Sequence, residues 1–387
     1  MKKVLIVNNN MHIGGVQRAL VSLLWQLQGS CDVTLLLFSP VGKCMEELPP
    51  SVKVITADSP YRFLGQTKYD LHSTADRLGR GFYAGITRLF GRKYALSLMG
   101  LGQKRLEGYD AAISYLHDGA PKAFYGGCSE FVLRHVSAKR KIAFLHCDWG
   151  LCGADTPENN RRYAEFDRIA ACSQGCADAF LKCNPRLADK VAVVPNCHRF
   201  DRIRDSEPAR ELKKEPGKIH VLTLARLGRE KGVDRALEAI ARLGDCREKL
   251  RYHVVGDGIL RETLEEFIRN KGLENTVTLW GEKNMPWGFL RQADLLLIPS
   301  RSEAAPLVIG EAACLGTPIL STRTSSAEEM IENPGYGWVC ENTVEAMTAA
   351  LSELLNNPEQ IQAKHRALSG LAFDNTRAME AFTELLR

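Results

Sequence analysis

Two glutamates, Glu303 and Glu311, stand in a mostly apolar stretch that reads IPSRSEAAPLVIGEAACLGTPIL. A carboxylate in apolar surroundings is costly unless it accepts hydrogen bonds. Pro306 suits the first residue of a helix and Gly316 suits its stop, so we expect a helix over 306–315. Glu303 would then lie in the turn ahead of this helix, and Glu311 in its second turn.

The start of this helix favours a negative ligand. The N–H groups of Ala305, Leu307 and Val308, together with the helix dipole, can bind an anion there. Because like charges repel, neither glutamate can bind the same anion, so each must accept hydrogen bonds from neutral donors. Hydroxyl groups of a ribose and of a hexose fit that role, with a diphosphate between them. The pattern therefore points to a nucleotide sugar; the alternative is a capping Glu303 and a Glu311 paired with a cation in the core.

Cations and glycines follow two other apolar runs. In LARLGREKGVDRAL, Arg226 and Lys231 flank Gly228 ahead of a helical pattern, where two cations suit a diphosphate; a solvated loop is the alternative. In NNNMHIGGVQRAL, Gly14 and Gly15 follow the first run, where backbone N–H groups can approach a phosphate; a plain tight turn is the alternative.

A further glycine, Gly256 in VVGDGIL, looks like half of a dinucleotide fingerprint. The third glycine of that fingerprint is missing, so NAD is weakly supported. A dehydrogenase is accordingly the least favoured interpretation.

Short apolar, β-branched runs recur along the chain, each followed by a helical pattern. The first half has KVLIVNN, DVTLLLF, DAAISYL, KIAFLH, RIAACS and KVAVVPN, and the second has IHVLTLAR, YHVVGDG, TVTLWG, ADLLLIPS and TPILST. Such alternation indicates parallel sheets covered on both faces. After the first run, Leu20, Leu23, Leu24 and Leu27 form the stripe of a core-facing helix.

The chain of 387 residues is too long for one ordinary core, so two domains are expected. The charged, proline-bearing stretch 199–218 is interpreted as the linker. We expect an α/β fold with two Rossmann-like, doubly wound parallel-sheet domains facing a central cleft, over 1–198 and 219–372. Ligands of such sheets bind beyond the carboxyl ends of the strands.

The N-terminus, MKKVLIVNNN, has only four apolar residues after its lysines, too few for a signal peptide or membrane span, and a cytoplasmic protein is expected. The twelve cysteines include no C-x2-C pair and are interpreted as reduced, mostly buried thiols. The alternative is a zinc site that uses His146, Cys147 and Cys152.

The positive charge is concentrated in residues 62–107, which hold nine Lys/Arg and three acids and so carry a net charge of +6. The whole chain has a net charge of +5, so the remaining residues together carry −1. Aromatic residues are interspersed among these charges. We interpret Arg62, Arg88, Arg92 and Lys93 as an acceptor surface or a surface for anionic lipid; a solvated helix face is the alternative. Nucleic acid is not expected as a partner, because no recognition motif accompanies the charge.

Several stretches occur in the order typical of family 4 glycosyltransferases, retaining enzymes of the GT-B fold. They are ARLGREKGVDRAL, VVGDGILRETLE, VTLWGE, ADLLLIPSRSEAAPLVIGEAACLGTPILST and AEEMIENPGYGWVCEN, preceded in the first half by GGVQRAL, YDAAISYLHD, KIAFLHCDW, IAACSQGCADAF and VAVVPNCHRF. The first-half motifs look most like capsule and exopolysaccharide glycosyltransferases of bacteria. The resemblance covers nearly the whole chain.

The resemblance implies roles for the residues above. Glu303 would bind donor-sugar hydroxyls and Glu311 the ribose, while Arg226 and Lys231 would clamp the diphosphate. Ala305, Leu307 and Val308 would offer backbone amides, with Gly15 beside the diphosphate. His146 matches a histidine that contacts the donor sugar near the reacting carbon; its alternative is a satisfied core histidine. The last helix, within 373–387, would cross back onto the first domain.

Two departures from the family pattern stand out. Ala304 and Ala305 replace the common Gly-Phe, so the loop near the donor sugar is expected to differ in shape from that of the family. Asn196 is followed by Cys197 and His198 where the family usually has Asn-Gly, so a different hinge geometry is expected.

Together these observations predict a retaining transferase that moves a hexose or N-acetylhexosamine from a nucleotide sugar, with UDP favoured. The acceptor expected is a glycan or polyprenyl-linked glycolipid of cell-surface polysaccharide synthesis, reached at the inner leaflet. No cofactor or metal is expected, because no Asp-x-Asp cluster sits in a cleft position and cations can neutralise the leaving diphosphate. The rivals are a nucleotide-sugar epimerase of the same fold and a non-catalytic nucleotide-sugar-binding subunit.

Overall fold

The computed structural model describes residues 1–387, apart from the side chain of Ser59. The chain divides into two compact units. Unit 1 comprises Met1–Cys197 and Asn375–Arg387, and unit 2 comprises His198–Asp374. Each unit contains one parallel β-sheet with helices in the connections.

Unit 1 is built on a seven-stranded sheet in the order β3-β2-β1-β4-β5-β6-β7. Its strands are β1 (Lys2–Asn8), β2 (Cys31–Leu37), β3 (Lys53–Thr56), β4 (Leu106–Ser114), β5 (Val136–Leu145), β6 (Arg168–Ala171) and β7 (Val191–Val193). Its helices up to this point are α1 (Gly15–Gln26), α2 (Arg62–Gly65), α3 (Thr74–Phe90), α4 (Arg92–Met99), α5 (Cys128–His135), α6 (Pro157–Ala164) and α7 (Gln174–Cys183).

Unit 2 is built on a six-stranded sheet in the order β10-β9-β8-β11-β12-β13. Its strands are β8 (Ile219–Leu224), β9 (Leu250–Val255), β10 (Val277–Gly281), β11 (Leu295–Ile298), β12 (Ile319–Thr322) and β13 (Gly337–Cys340). Its helices are α8 (Phe200–Arg204), α9 (Val233–Ala241), α10 (Arg261–Asn270), α11 (Trp287–Gln292), α12 (Leu307–Cys314), α13 (Val344–Asn356) and α14 (Pro358–Ser369). The last helix of the chain, α15 (Thr376–Leu385), belongs to unit 1.

The predicted pair of doubly wound α/β domains is confirmed by these two sheets, in which all paired strands are parallel. Apolar side chains on both faces of the central strands bury against the helices, as the continuous apolar runs require. The predicted stripe of α1 is also confirmed, because Leu20, Leu23, Leu24 and Leu27 are all buried.

Two edge strands were absent from the expected set. In β3 the side chains are mostly exposed, and in β13 they are half-buried. Both are four residues long, and the apolar run is only two residues in β3 and three in β13. Edge strands face less protein than central ones, so the hydrophobic pattern that reveals a buried strand is weak in them.

The stretch 199–218, expected to be a linker, lies within unit 2. It begins with α8, whose Ile203 is buried, and Leu212 joins the apolar core beside β11. The C-terminal α15 returns to unit 1, where Phe382 packs at 6.3 Å (ring centroids) from Phe144. No helix among the described residues is both long and apolar enough to cross a membrane.

Candidate functional site

The candidate site in unit 2 starts from α12, which the glutamate-bearing stretch forms. The helix begins at Leu307, with Pro306 as its extended N-cap residue, one position later than expected. The N–H groups of Leu307 and Val308 find no acceptor among the described residues. Gly316 follows the helix with φ of +79°, a left-handed conformation that stops it. The helix start therefore presents unsatisfied donors that an anion can accept.

Lys231 and Glu303 are brought together at this helix start. Lys231 lies in a short 3-10 turn after β8, and Gly232 follows it with φ of +65°. A Cβ at Gly232 would lie 2.0 Å from the carbonyl oxygen of Pro299, so only glycine allows this approach to the end of β11. The result is a distance of 2.7 Å between Lys231 Nζ and Glu303 Oε1.

The expectation that Glu303 accepts hydrogen bonds only from neutral donors is wrong for this structure. Its Oε1 accepts from the Lys231 ammonium and also from the Ser300 hydroxyl at 2.7 Å. Its Oε2 has no hydrogen-bond partner among the described side chains and remains able to accept from a ligand. The capping alternative for Glu303 is also wrong, because α12 has no side-chain cap.

Glu311 lies in the second turn of α12 and is only 7% exposed. Within the part of the chain that the structure describes, its carboxylate forms no ion pair and accepts no hydrogen bond. The alternative of a cation partner in the core is therefore wrong. The side chain is buried, but its carboxylate oxygens are not among the buried unpaired atoms, so a ligand that donates hydroxyl groups can reach them.

Arg226 follows β8 but is far more exposed than Lys231. Its side chain is 72% exposed, and its Nη2 lies 2.5 Å from Glu230 Oε1. A pair in contact with water is weak, so the Arg226 guanidinium can leave Glu230 for a phosphate at little cost. Arg226 and Lys231 thus follow the same strand, but only Lys231 is held at the helix start.

The three glycines predicted as donor-binding residues differ in what their backbone offers, Gly256 in unit 2 and Gly14 and Gly15 in unit 1. Gly256 donates its N–H to Gly281 at 2.9 Å, and a Cβ there would lie 1.9 Å from the carbonyl oxygen of Ala225. Packing thus explains why this position is a glycine, and the Gly256 N–H is not available to bind a nucleotide sugar. Gly14 caps α1 in an extended conformation, and Gly15 begins the helix with open space at the position that a Cβ would take. Gly15 therefore leaves room for a ligand close to the backbone.

In unit 1, His146 directly follows β5 and His117 follows the neighbouring β4. Burial lowers the pKa of His146 to about 3 and that of His117 to about 4, so both imidazoles are neutral at ordinary pH. His146 packs 4.7 Å from Tyr115 (ring centroids). Its Nε2 and the Nδ1 of His117 are buried atoms without a hydrogen-bond partner among the described residues. The alternative of a satisfied core histidine is thus wrong for His146.

His117 was not singled out in the sequence, although YDAAISYLHD contains it. The available signal was its position, three residues after a buried strand at the carboxyl edge of a parallel sheet. Asp118, the next residue, fixes this turn. It is fully buried, accepts from the Gly127 N–H at 3.2 Å, and pairs with Arg92 at 3.3 Å. Burial alone would raise the pKa of Asp118, but Arg92 and Arg162 hold it below its ordinary value.

The basic segment separates into buried and exposed charges. Arg92 is 1% exposed, and in addition to its ion pair it donates to the Tyr125 carbonyl at 2.9 Å and to Asn159 Oδ1 at 3.0 Å. Its assignment to an acceptor or membrane surface is therefore wrong. Arg62 is half-exposed and pairs with Asp76 at 2.5 Å. Arg88 and Lys93 are exposed.

Apolar side chains of α3 and α4 are exposed together with these charges. They are Leu78, Phe82, Leu89, Phe90 and Tyr94. We call this set, with Arg88 and Lys93, the α3–α4 surface. Large apolar side chains gathered on one basic surface are typical of an interaction site.

The zinc alternative is not supported by the described residues, in which no group of three or more His, Cys, Asp or Glu side chains could hold a metal ion. Cys147 and Cys152 do lie close together, but His146 does not complete a ligand set with them.

Comparisons with known proteins bear on the fold and on the family. Residues 205–367 match the model of the family "Glycosyl transferases group 1". A GDP-mannose-dependent alpha-(1-6)-phosphatidylinositol dimannoside mannosyltransferase of Mycobacterium tuberculosis is 26% identical over 202 residues, 52% of each chain. A putative colanic acid biosynthesis glycosyltransferase, WcaL of Escherichia coli, is 31% identical over 212 residues, 51% of each chain. The chain thus spans about half the length of the curated relatives it matches.

A solved structure is similar over the whole length. Anabaena Alr3699/HepE in complex with UDP and glucose has a TM-score of 0.68 at 17% identity, covering 100% of this chain and 99% of the other. The expected GT-B fold is confirmed, since this likeness extends over both units. Residues 205–367 thus resemble the glycosyl transferases group 1 family, in line with the expected family. The family and the named relatives support the expectation of a transferase enzyme.

Proposed function

We propose that this protein is a retaining glycosyltransferase that needs no metal ion. It would move a hexose or N-acetylhexosamine from a nucleotide sugar, with UDP as the favoured carrier, to a glycan or lipid-linked sugar. The product would serve cell-surface polysaccharide synthesis, in line with the colanic acid relative. The polyprenyl-linked acceptor is motivated by the basic, apolar α3–α4 surface.

The observation that carries the proposal is the buried Glu311 without a protein partner, one turn along a helix whose first amides are also unsatisfied. A ligand that satisfies both must present hydroxyl groups to the carboxylate and an anion to the amides. A nucleoside diphosphate does so, because its ribose carries the hydroxyls and its phosphates the charge. Glu303, ahead of the helix, would take the sugar.

Transfer requires that the charge growing on the departing diphosphate be neutralised. Lys231, the amides of Leu307 and Val308, and the dipole of α12 would supply that stabilisation, with Arg226 adding a mobile cation. These groups make a metal ion unnecessary in the proposal. The chelator EDTA is accordingly expected to leave the rate unchanged.

The stereochemical course follows from the family resemblance. Glu303 is held by Lys231 and Ser300, which makes its Oε1 a poor nucleophile. In the proposal, the acceptor hydroxyl attacks the face from which the diphosphate departs, and the phosphate takes the acceptor proton. The family resemblance assigns His146 a contact with the donor sugar, and the neutral state of its imidazole suits a hydrogen bond to a hydroxyl.

The donor is identified by a screen for nucleotide-sugar hydrolysis and transfer. One relative is named for GDP-mannose, whereas the solved structure contains UDP. UDP sugars and GDP-mannose are therefore the first candidates, and release of free epimer instead of a transfer product would favour the epimerase.

The Glu311→Ala protein tests donor binding. We expect the KM for the nucleotide sugar to rise about 10-fold to 100-fold, since a hydrogen bond to a charged group contributes about 1.5–3 kcal/mol. Its Tm is expected to stay equal or to rise, because the substitution removes a buried charge that has no protein partner. The KM is measured by initial rates, and Tm by thermal unfolding.

The matched control is Glu359→Ala, at an exposed position in α14, which should change neither quantity. A Glu311→Ala protein with unchanged KM and a lowered Tm would contradict the proposal, because it would make Glu311 a structural residue.

A second test concerns the α3–α4 surface, which we propose docks on the anionic inner leaflet. The Arg88→Gln/Lys93→Gln protein is expected to bind vesicles of anionic phospholipid about 30-fold more weakly, since each basic residue near such a surface contributes about 1 kcal/mol. The control Arg269→Gln/Lys271→Gln removes two exposed charges from unit 2. Equal binding by both variants, measured by vesicle co-sedimentation, would refute the docking surface.

A further inference from the structure

Two thiols lie against each other immediately after His146. The Sγ atoms of Cys147 and Cys152 are 3.0 Å apart. Cys147 is buried, whereas Cys152 is exposed to solvent. Neither thiol has a role in the proposed transfer, and a pair with one accessible member has the arrangement of a thiol pair that can be oxidised.

The segment between the two cysteines is a tight turn with fixed ends. The Cys152 N–H donates to the Asp148 carbonyl at 3.0 Å, which closes the turn. Trp149 anchors it, since its ring is buried 4.6 Å from Tyr163 (ring centroids) and its Nε1 donates to Asn160 at 3.0 Å. The turn therefore holds the two sulfurs close without a covalent bond.

The two thiols differ in reactivity. Hydrogen bonding with Cys147 lowers the pKa of Cys152, which increases its thiolate fraction. The same contact, together with burial, raises the pKa of Cys147. Cys152 is thus the thiol that an oxidant in solution reaches and reacts with first, and Cys147 is placed to resolve the product.

We propose that Cys147 and Cys152 form a reversible disulfide that slows the transfer reaction. The oxidant is a small-molecule disulfide. The Cys152 thiolate attacks one of its sulfurs, the sulfur–sulfur bond breaks, and the departing thiolate takes up a proton. Cys147 then loses its proton and attacks the Cys152 sulfur, which releases a second small thiol. Two protein thiols are oxidised in total, and one small disulfide is reduced to two thiols.

The bond would act on the reaction through His146, the neighbour of Cys147. A disulfide holds its sulfurs about 2.0 Å apart, so the pair must close by about 1 Å. Cys147 moves at the end of β5, where His146 packs against Tyr115, and a displacement of about 1 Å at a catalytic group can cost up to about 10²-fold in rate. This second part rests on the proposed function, whereas disulfide formation does not.

The first experiment tests the bond without any activity assay. Tryptic cleavage after Lys141 and Arg161 yields residues 142–161, which contain Cys147 and Cys152 and no other cysteine. After titration of the intact protein with glutathione disulfide and alkylation, mass spectrometry should find this peptide unalkylated and lighter by two hydrogens. Dithiothreitol should restore the doubly alkylated form. A peptide that is doubly alkylated throughout would overturn the proposal.

The second experiment measures transfer before oxidation, after oxidation and after reduction. We expect oxidation to slow the protein at least about tenfold and dithiothreitol to restore the rate. Cys152→Ser should keep the rate of the reduced protein and become insensitive to the oxidant, whereas Cys183→Ser, at a half-buried thiol elsewhere in unit 1, should stay sensitive. If oxidation slowed the Cys152→Ser protein as much as the Cys183→Ser protein, regulation by the pair Cys147 and Cys152 would be refuted. Absence of transfer in every sample would instead count against the proposed function.

Discussion

Lys231→Ala is expected to lower the kcat of sugar transfer by about 10²-fold to 10³-fold, the cost of removing one group that stabilises charge in a transition state. The ammonium is held 2.7 Å from Glu303 at the start of α12, where the helix dipole and two unsatisfied amides favour the same negative charge. Charge on the diphosphate increases as the sugar leaves, so the loss should appear in kcat more than in KM. Steady-state kinetics with a saturating donor measures it.

The partner of Lys231 makes the prediction sharper. Glu303→Gln keeps a hydrogen-bond acceptor for the sugar but loses the charge that orients the ammonium, and we expect a smaller loss than for Lys231→Ala. The double variant should lose less than the product of the two single losses, because the residues are in contact. Lys213→Ala, at an exposed position, is the matched control. A Lys231→Ala protein with normal kcat and a raised KM would reduce Lys231 to a ground-state binding residue.

Local rules predicted α12 and its two glutamates, because Pro306 and Gly316 fix the helix ends through their own backbone preferences. The partner of Glu303 did not follow from local rules. It depends on Gly232 approaching the Pro299 carbonyl, a contact between segments far apart in sequence. The sequence therefore indicated which residues could bind a nucleotide sugar, but not that one glutamate is already paired while the other is alone.

The same limit explains Arg92. The charge count led us to predict that Arg92 lies on a surface. The composition of residues 62–107 does not indicate which arginine pairs with a buried carboxylate. The carboxylate is that of Asp118, which follows β4 and is reached only once the sheet has formed. Burial of a charge is a tertiary property, whereas the charge itself can be read from the chain.

Arg92→Met is expected to lower the free energy of unfolding of the protein by about 3–5 kcal/mol, the cost of breaking a buried ion pair by removing one partner. Asp118 would stay buried with only the more distant Arg162 Nη1, at 3.5 Å, as a cationic partner. The Tyr125 carbonyl and Asn159 would also each lose a donor. Urea denaturation measures the effect.

The exposed Arg88→Met is the matched control and should change stability by less than about 0.5 kcal/mol, as is usual for surface substitutions. Arg92→Met/Asp118→Asn removes both charges, so it should recover part of the loss if the cost arises from the unpaired carboxylate. Gly126, whose φ is +81°, lies against Asp118 Oδ1 with no room for a Cβ. The turn that carries His117 therefore has little freedom to move away from the Asp118 carboxylate once Arg92 no longer compensates its charge. Equal stability of the two arginine variants would mean that Arg92 is solvated, and would return it to the surface that its neighbours Arg88 and Lys93 occupy.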